Sequence, residues 1–281
     1  MTPQEKKQLQ IAACKVRMGI LTSTHAAKCG HPGGSLSSAD LFTYLYFAEM
    51  NIDPQNPKWE ERDRFVLSKG HTAPGLYSAL ANRGFFPVEE LVTLRKLGSF
   101  LQGHPNMRTV PGVDMSTGSL GQGISCAAGM ALGLKHQGKS PRVYTLLGDG
   151  EIEEGQVWEA AMFAAHYKLD NLCVIVDNNG LQIDGPVADV MSPYPIDEKF
   201  RAFGFHVEVI DGNDLDQIEK AMKVARATKG QPTAIIMKTT KGKGVSYMEN
   251  QVSWHGKAPN DEEYEIGMNE LKAALAQLEG C

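Results

Sequence analysis

Two stretches decide the reading of this chain: Val143-Tyr-Thr-Leu-Leu-Gly-Asp-Gly150 and Leu172-Cys-Val-Ile-Val-Asp-Asn-Asn-Gly180. Each is a short apolar run that stops at small polar residues, the pattern of a buried strand ending at a turn. The segment from 151 to 177 has room for one crossover helix and one further parallel strand. Asn179 therefore returns to the sheet edge that carries Asp149. Alone, Asp-Gly or Asn-Asn-Gly reads as an ordinary turn. Paired behind two apolar runs, they put a carboxylate and an amide oxygen together. Gly150 lets the backbone come close to a phosphate. Such oxygens, with a main-chain carbonyl and diphosphate oxygens, suit a hard cation such as Mg2+.

Working outward, strands are predicted at 143–147, 172–177, 206–210 and 233–238, separated by helices near 156–167, 196–203 and 214–229. This alternation predicts an α/β fold with a mostly parallel sheet and helices on both faces, whose ligands bind beyond the carboxyl ends of the strands. On the amino-terminal side, residues 4–27 carry one apolar stripe and read as a helix. A glycine-rich turn is expected at 29–34, and Ser37 or Ser38 is a candidate cap for a helix reaching Glu49. Arg64–Ser68 is a short strand candidate, and helices are expected over 73–82, 87–96 and 124–135. Residues 261–279 suggest a last amphipathic helix. There is no internal repeat or convincing linker, so residues 1–281 are expected to form one domain with a helical extension from about 259.

The 281 residues allow a large core, and 42% hydrophobic with 22% charged residues is ordinary for a soluble globular protein. A net charge of −5 argues against nucleic acid or an anionic membrane as partner. No apolar stretch reaches membrane-spanning length, and residues 2–8 do not open a signal peptide. Five scattered cysteines (14, 29, 126, 173 and 281) without a CxxC pair read as reduced thiols of a cytoplasmic protein.

Of eight histidines, four touch glycine: Gly30-His31, Gly70-His71, Gly103-His104 and His255-Gly256. Any one of them alone reads as structural. Four imidazoles on glycine-containing loops can gather at one mouth, where they can bind phosphate or sugar hydroxyls and move protons near neutral pH. None of these four shows HxxxH or knuckle spacing, which argues against zinc.

The Gly148-Asp-Gly150 and Asn178-Asn179 pair resembles the thiamine diphosphate motif. His31 within Gly30-His-Pro-Gly-Gly-Ser-Leu36, the run Asp63-Arg-Phe-Val-Leu-Ser-Lys-Gly-His71, Gly103-His-Pro105, Thr117-Gly-Ser-Leu-Gly-Gln-Gly-Ile124 and Trp254-His-Gly256 resemble the successive signatures of transketolase. The resemblance covers roughly residues 10–260 and is to the amino-terminal section of a split enzyme. It implies that Asp149, Asn179 and the carbonyl of Leu181 bind Mg2+, or Ca2+ or Mn2+ in its place. It also implies that Gly150, Asn179, His71 and His255 meet thiamine diphosphate, that Gly118 and Leu120 lie against it, that His31 and His104 face the sugar, and that His255 also helps move a proton during transfer. Glu154 matches a family glutamate linked to the opposite active site; a first-turn glutamate favoured by the helix dipole explains it equally well. Lys238, Lys241 and Lys243 read as solvated lysines and are left out of the catalytic set.

The resemblance further implies transfer of a two-carbon ketol from a ketose phosphate to an aldose phosphate. The pyrimidine-binding and carboxyl-terminal domains are missing, which implies a two-plus-two assembly with a separate partner subunit. A 1-deoxyxylulose 5-phosphate synthase-like subunit is the neighbouring alternative, disfavoured by the intact Gly30-His-Pro-Gly33 and Gly103-His-Pro105 motifs. A noncatalytic thiamine diphosphate-binding regulatory subunit is the other alternative, and the presence of every cofactor residue argues against it.

Overall fold

The structure is a computed structural model that describes residues 1–280. Five strands, β1 (Arg64–Leu67), β2 (Val143–Gly148), β3 (Leu172–Asn178), β6 (His206–Asp211) and β7 (Thr233–Lys238), form one sheet in the order β1-β2-β3-β7-β6. Every pairing in it is parallel, as the alternation of strands and helices predicts. A small antiparallel hairpin, β4 (Leu181–Gln182) with β5 (Gly185–Pro186), follows β3, and its two-residue strands carry no sequence signal of their own.

Side chains alternate strictly along the central strands. Leu172, Val174 and Val176 of β3, with Val143 and Leu147 of β2, face helices α5 (Gln122–His136), α6 (Gly155–His166) and α8 (Ile196–Ala202). Cys173 and Ile175, with Tyr144 and Leu146, face the other layer. That layer holds α1 (Pro3–Ala27), α3 (Ala39–Tyr44), α4 (Ala73–Arg83) and α9 (Leu215–Ala227). Strands covered on both faces read as continuous apolar runs, which is why β2 and β3 are the clearest elements in the sequence.

Helix α1 starts at a capping box. Thr2 Oγ1 accepts from the Glu5 amide at 3.2 Å, while the Glu5 carboxylate accepts from the Thr2 amide at 2.7 Å. The last helix, α10 (Asp261–Gly280), lies along α1. The His25 ring stacks on Tyr264 at 4.1 Å, and the Cys14 thiol donates to the Leu271 carbonyl at 3.1 Å.

Four local expectations are corrected. The glycine-rich segment is not an open turn throughout, because Pro32 starts α2 (Pro32–Ser37) and Gly33 and Gly34 lie inside it. Ser37 and Ser38 do not cap a helix with their side chains; their hydroxyls turn to buried Asp177, a stronger acceptor. The chain from Leu45 to Glu49 widens into a π-helical turn, and the segment after Pro87 is a 3₁₀ turn over Val88–Thr93. Short helix α7 (Val187–Val190) completes the element order. Cys14, Cys29, Cys126 and Cys173 are free thiols, and Cys281 lies outside the described residues. Among the described residues no helix is long and apolar enough to cross a membrane.

Candidate functional site

The carboxyl ends of β2 and β3 bring the two opening stretches together. Asp149 is 2% exposed, and its carboxylate accepts from the Asn178 side-chain amide at 3.0 Å and from the Gly180 amide at 2.6 Å. Its other oxygen takes the Gly150 amide at 3.0 Å. Burial, reinforced by nearby Asp177, pushes the Asp149 carboxyl up to about 6. A carboxylate so short of compensation favours a cation beside it.

Asp149, Gly150, Asn179, Leu181, Leu120, His71 and His255 all line one cavity of about 140 Å³. Asn179 donates its amide to Asp177 at 3.0 Å and receives the Leu181 amide on Oδ1 at 3.1 Å. The Asp177 bond fixes which way the amide points. The Leu181 carbonyl accepts from Lys241 Nζ at 2.8 Å. Lys241 also lines the cavity, and its ammonium reaches His255 Nδ1 at 3.0 Å. It is 2% exposed, and burial lowers its pKa to about 8 against the pull of Asp149 and Asp177. Reading Lys241 as solvated is therefore corrected: it is buried between Leu181 and His255. Lys238 and Lys243 do sit at or near the surface.

Two further buried groups escaped the sequence reading. Asp177, wholly buried, accepts from Ser37 at 2.6 Å, Lys69 at 2.5 Å, Asn179, Ser38 and Thr239. Burial opposes its ionisation, but Lys69 and the hydroxyls hold it below the usual carboxylate range. Glu151 accepts from Ser68 at 2.5 Å, the Gly121 amide at 2.9 Å and the Gly148 amide at 3.0 Å. It thereby ties three of the glycine-bearing segments to one carboxylate. The visible signal was an acidic residue next to Gly150, but nothing local marked it as buried.

Three of the four glycine-flanked histidines meet. The His31 ring lies 5.0 Å from His71 and 5.5 Å from His255, and His71 stacks on His255 at 5.3 Å. Burial, then Arg95, His104 and Lys241, lowers His31 to about 4. Burial, then Lys241, lowers His255 to about 3, and burial with Lys69 holds His71 well below its usual value. All three imidazoles are neutral at neutral pH, each with one donor and one acceptor nitrogen. His31 Nδ1 is buried without a hydrogen-bond partner.

His104 stands apart, exposed on an open basin with Gln102, Asn106 and Arg108. A Cβ at Gly118 would lie 3.1 Å from the His104 ring, so Gly118 contacts His104 rather than the cavity wall. Glu154 is not brought into the cavity. It is exposed, precedes α6 as its N-cap rather than standing in the first turn, and makes no side-chain cap bond. Its Cβ lies against Gly121 instead.

Among the described residues no group of three or more His, Cys, Asp or Glu side chains is placed to hold a metal. A cation here would draw on one carboxylate, one amide oxygen and one carbonyl, leaving the rest of its oxygen shell to phosphate. His71, the orphaned nitrogen of His31 and the third N–H of Lys241, whose other two face Leu181 and His255, are spare partners for an anionic, hydroxyl-bearing ligand. The donor set fits a metal-bound diphosphate.

Beyond the strand ends of a parallel sheet, such a site defines a thiamine diphosphate-binding domain, and residues 8–275 match the family described as "Transketolase, thiamine diphosphate binding domain". The chain belongs to the transketolase family. It is 45% identical to the 6-deoxy-6-sulfo-D-fructose transketolase subunit SqwG of Clostridium sp. (strain MSTE9), covering 98% of each chain. It is 41% identical to one of the apulose-4-phosphate transketolase subunits of Phocaeicola vulgatus, covering 96% of each. Human transketolase is 46% identical over 90% of this chain, which spans 40% of that protein. The crystal structure of Campylobacter jejuni transketolase superposes with a TM-score of 0.89 at 32% identity, and this chain covers 46% of it.

Proposed function

We propose that this chain is the cofactor-diphosphate half of a split transketolase, transferring a two-carbon ketol group between sugar phosphates. The observation that carries the reading is the cavity of about 140 Å³ whose walls hold Asp149, Asn179, the Leu181 carbonyl, His71, His255 and Lys241. Sites that enclose a drug-sized ligand run to about 300–1,000 Å³, so this one suits a diphosphate with its cation and leaves the cofactor's rings to other surfaces.

Asp149, Asn179 and Leu181 would hold Mg2+, with Gly150, His71, His255 and Lys241 turned to the diphosphate. The Gly150 amide would exchange its Asp149 bond for a phosphate oxygen. Bound thiamine diphosphate supplies the electron sink for breaking a carbon–carbon bond. Neutral His31 and His255 can accept or donate a proton at a sugar hydroxyl, and His104 would contact the donor sugar from the basin outside. Glu154, exposed beside Gly121, would serve contact with a second subunit. Two of the relatives named above carry in their names a sulfo sugar and a sugar phosphate, and an anionic ketose is the donor class proposed here.

The remaining parts of the site would come from a partner subunit with the pyrimidine-binding and carboxyl-terminal domains, in a cytoplasmic two-plus-two assembly. Residues 1–281 would act as one unit within it. The test is ketol transfer from xylulose 5-phosphate, assayed with the purified chain and with the chain co-purified with that partner. Activity is expected in the complex alone. Full activity of the isolated chain would refute the split-site reading.

A further inference from the structure

Lys241 sits on a loop that leaves β7 and carries two left-handed glycines, Gly242 (φ +79°) and Gly244 (φ +91°). Such a segment is pliable unless something pins it. Behind it lies an open hollow of about 450 Å³ reached by Arg17, Asp40, Asn213, Lys243 and Gly244. Backbone bonds from Gly242 to the Gly33 carbonyl and from Asn250 to the Lys241 carbonyl, both 2.9 Å, hold part of the loop, and two side-chain bonds flank Lys241. On one side of Lys241, the Thr240 amide donates to Asn213 Oδ1 at 3.0 Å. On the other, the Lys243 carbonyl accepts from Arg17 Nε at 3.1 Å.

Both pins end on one atom. Asp40 Oδ2 accepts from Arg17 Nη2 at 2.6 Å and from Asn213 Nδ2 at 3.0 Å. Asp40 is 6% exposed, so its charge is little screened. Arg17 comes from α1, Asp40 from α3 and Asn213 from the turn after β6. Three elements on the far side of the loop from the cofactor cavity thus meet at a carboxylate that brackets Lys241.

We propose that Asp40, with Arg17 and Asn213, is a positioning device that sets the Lys241 ammonium for the cofactor diphosphate. The inference rests on the proposed diphosphate role of Lys241. None of the three side chains lines the cofactor cavity, so each acts through the loop. Losing the bracket removes one tie at each of positions 240 and 243, leaving the Gly242–Gly33 and Asn250–Lys241 backbone bonds and the Asp149 and Asn179 contacts in place.

The test is a double-mutant cycle read by calorimetric affinity for thiamine diphosphate with Mg2+, on the chain co-purified with its partner subunit, together with thermal melts without cofactor. Lys241→Met is expected to weaken binding by about thirtyfold and Asp40→Asn by about tenfold. In the Lys241→Met background, Asp40→Asn should add less than about twofold, because the lysine it positions is gone. Asn213→Ala, which removes one pin and is the milder change, should repeat this pattern if Asp40→Asn folds poorly. Full additivity would overturn the inference, as would unchanged affinity in Asp40→Asn and Asn213→Ala while Lys241→Met weakens binding. Unchanged affinity in Lys241→Met would instead overturn the diphosphate role itself.

Discussion

At the amino-terminal end of the strands, Asp114 pairs with Arg62 and takes the Phe65 amide at 2.8 Å, while Asp63 takes the amides of Asn51 and Arg142 at 2.9 and 2.7 Å. Glu49 pairs with Arg226 and accepts from Tyr144 at 2.9 Å. At the carboxyl end, Asp149 and Lys241 are just as withdrawn from water and three histidines are half-buried, yet His31 Nδ1 has no partner and three rings meet with few hydrogen bonds between them. The first pole closes its charges largely on themselves, and among the described residues Arg142 Nε and Asn171 Oδ1 are left over there. The second keeps spare donors and acceptors around a cavity. Buried polar groups cost free energy unless they are satisfied, so spare capacity gathered at one place marks where a ligand completes the structure.

The sharpest way to break this comparison is to remove one carboxylate from each pole. Asp149→Ala should abolish metal-dependent thiamine diphosphate binding in the assembled enzyme, because a Mg2+ site tolerates few missing oxygens. Its effect on folding should be small, since the lost hydrogen bonds are offset by relief of a buried charge near Asp177. Asp114→Ala should do the reverse. It leaves Arg62 and Arg64 without their buried partner and should cost about 3–5 kcal/mol of stability, with cofactor affinity kept in whatever folds. Calorimetric binding and urea melts on both variants separate the cases, and cofactor affinity unchanged in Asp149→Ala would remove the metal assignment.

Much of the second pole was legible because glycine and strand endings are local signals. Gly148, Gly150 and Gly180 break apolar runs at points that a parallel sheet must bring to one edge, so Asp149 and Asn179 could be paired from spacing alone. Lys241 and Asp177 could not. Lys241 lies among three lysines in seven residues, the usual signature of a solvated loop. Its burial depends on Leu181, 60 positions away, and on His255. Asp177 looked like the last residue of a strand, yet its donors come from as far as 140 positions earlier, at Ser37. Burial of charge is set by such distant convergence, which no window of sequence carries. The 3₁₀ turn after Pro87 and the π turn at Leu45 were missed for a smaller reason. Their apolar spacing matches that of an α-helix, and only the hydrogen-bond register differs.

Acid provides the next test, since the histidine pole should dominate the pH dependence of cofactor-free stability. His31, His71 and His255 have folded pKa values below that of an unfolded histidine, near 6.5. As pH falls below 6.5, the unfolded chain takes up protons that the folded chain refuses, and stability drops by up to about 2 kcal/mol per histidine by pH 5. The raised pKa of Asp149, Glu151, Asp63 and Asp114 acts in the opposite direction, because the folded chain binds those protons first. Asp149, pushed up to about 6, offsets part of the histidine loss between pH 6 and pH 5. Urea melts at pH 7 and pH 5 should therefore show a loss that shrinks markedly in the His71→Gln, His255→Gln double variant. An undiminished loss would place the acid sensitivity elsewhere.

The smallest expected effect lies at the rim of the open pole, where His104 differs from the other three. It is exposed, it lines an open basin rather than the cavity, and its contact is with Gly118. The Tyr77 hydroxyl donates to the carbonyls of Gln102 and His104 at 2.9 and 3.0 Å, so the backbone that carries the ring is held even when the ring is removed. His104→Ala should consequently leave stability and thiamine diphosphate affinity near their original values. It should raise KM for the donor ketose roughly fivefold, the worth of about 1 kcal/mol for one hydrogen bond to a sugar hydroxyl. Steady-state kinetics with the donor varied, beside calorimetric cofactor binding, distinguish this from a cofactor role. Lost cofactor affinity would move His104 into the diphosphate set and enlarge the open pole beyond the cavity that now bounds it.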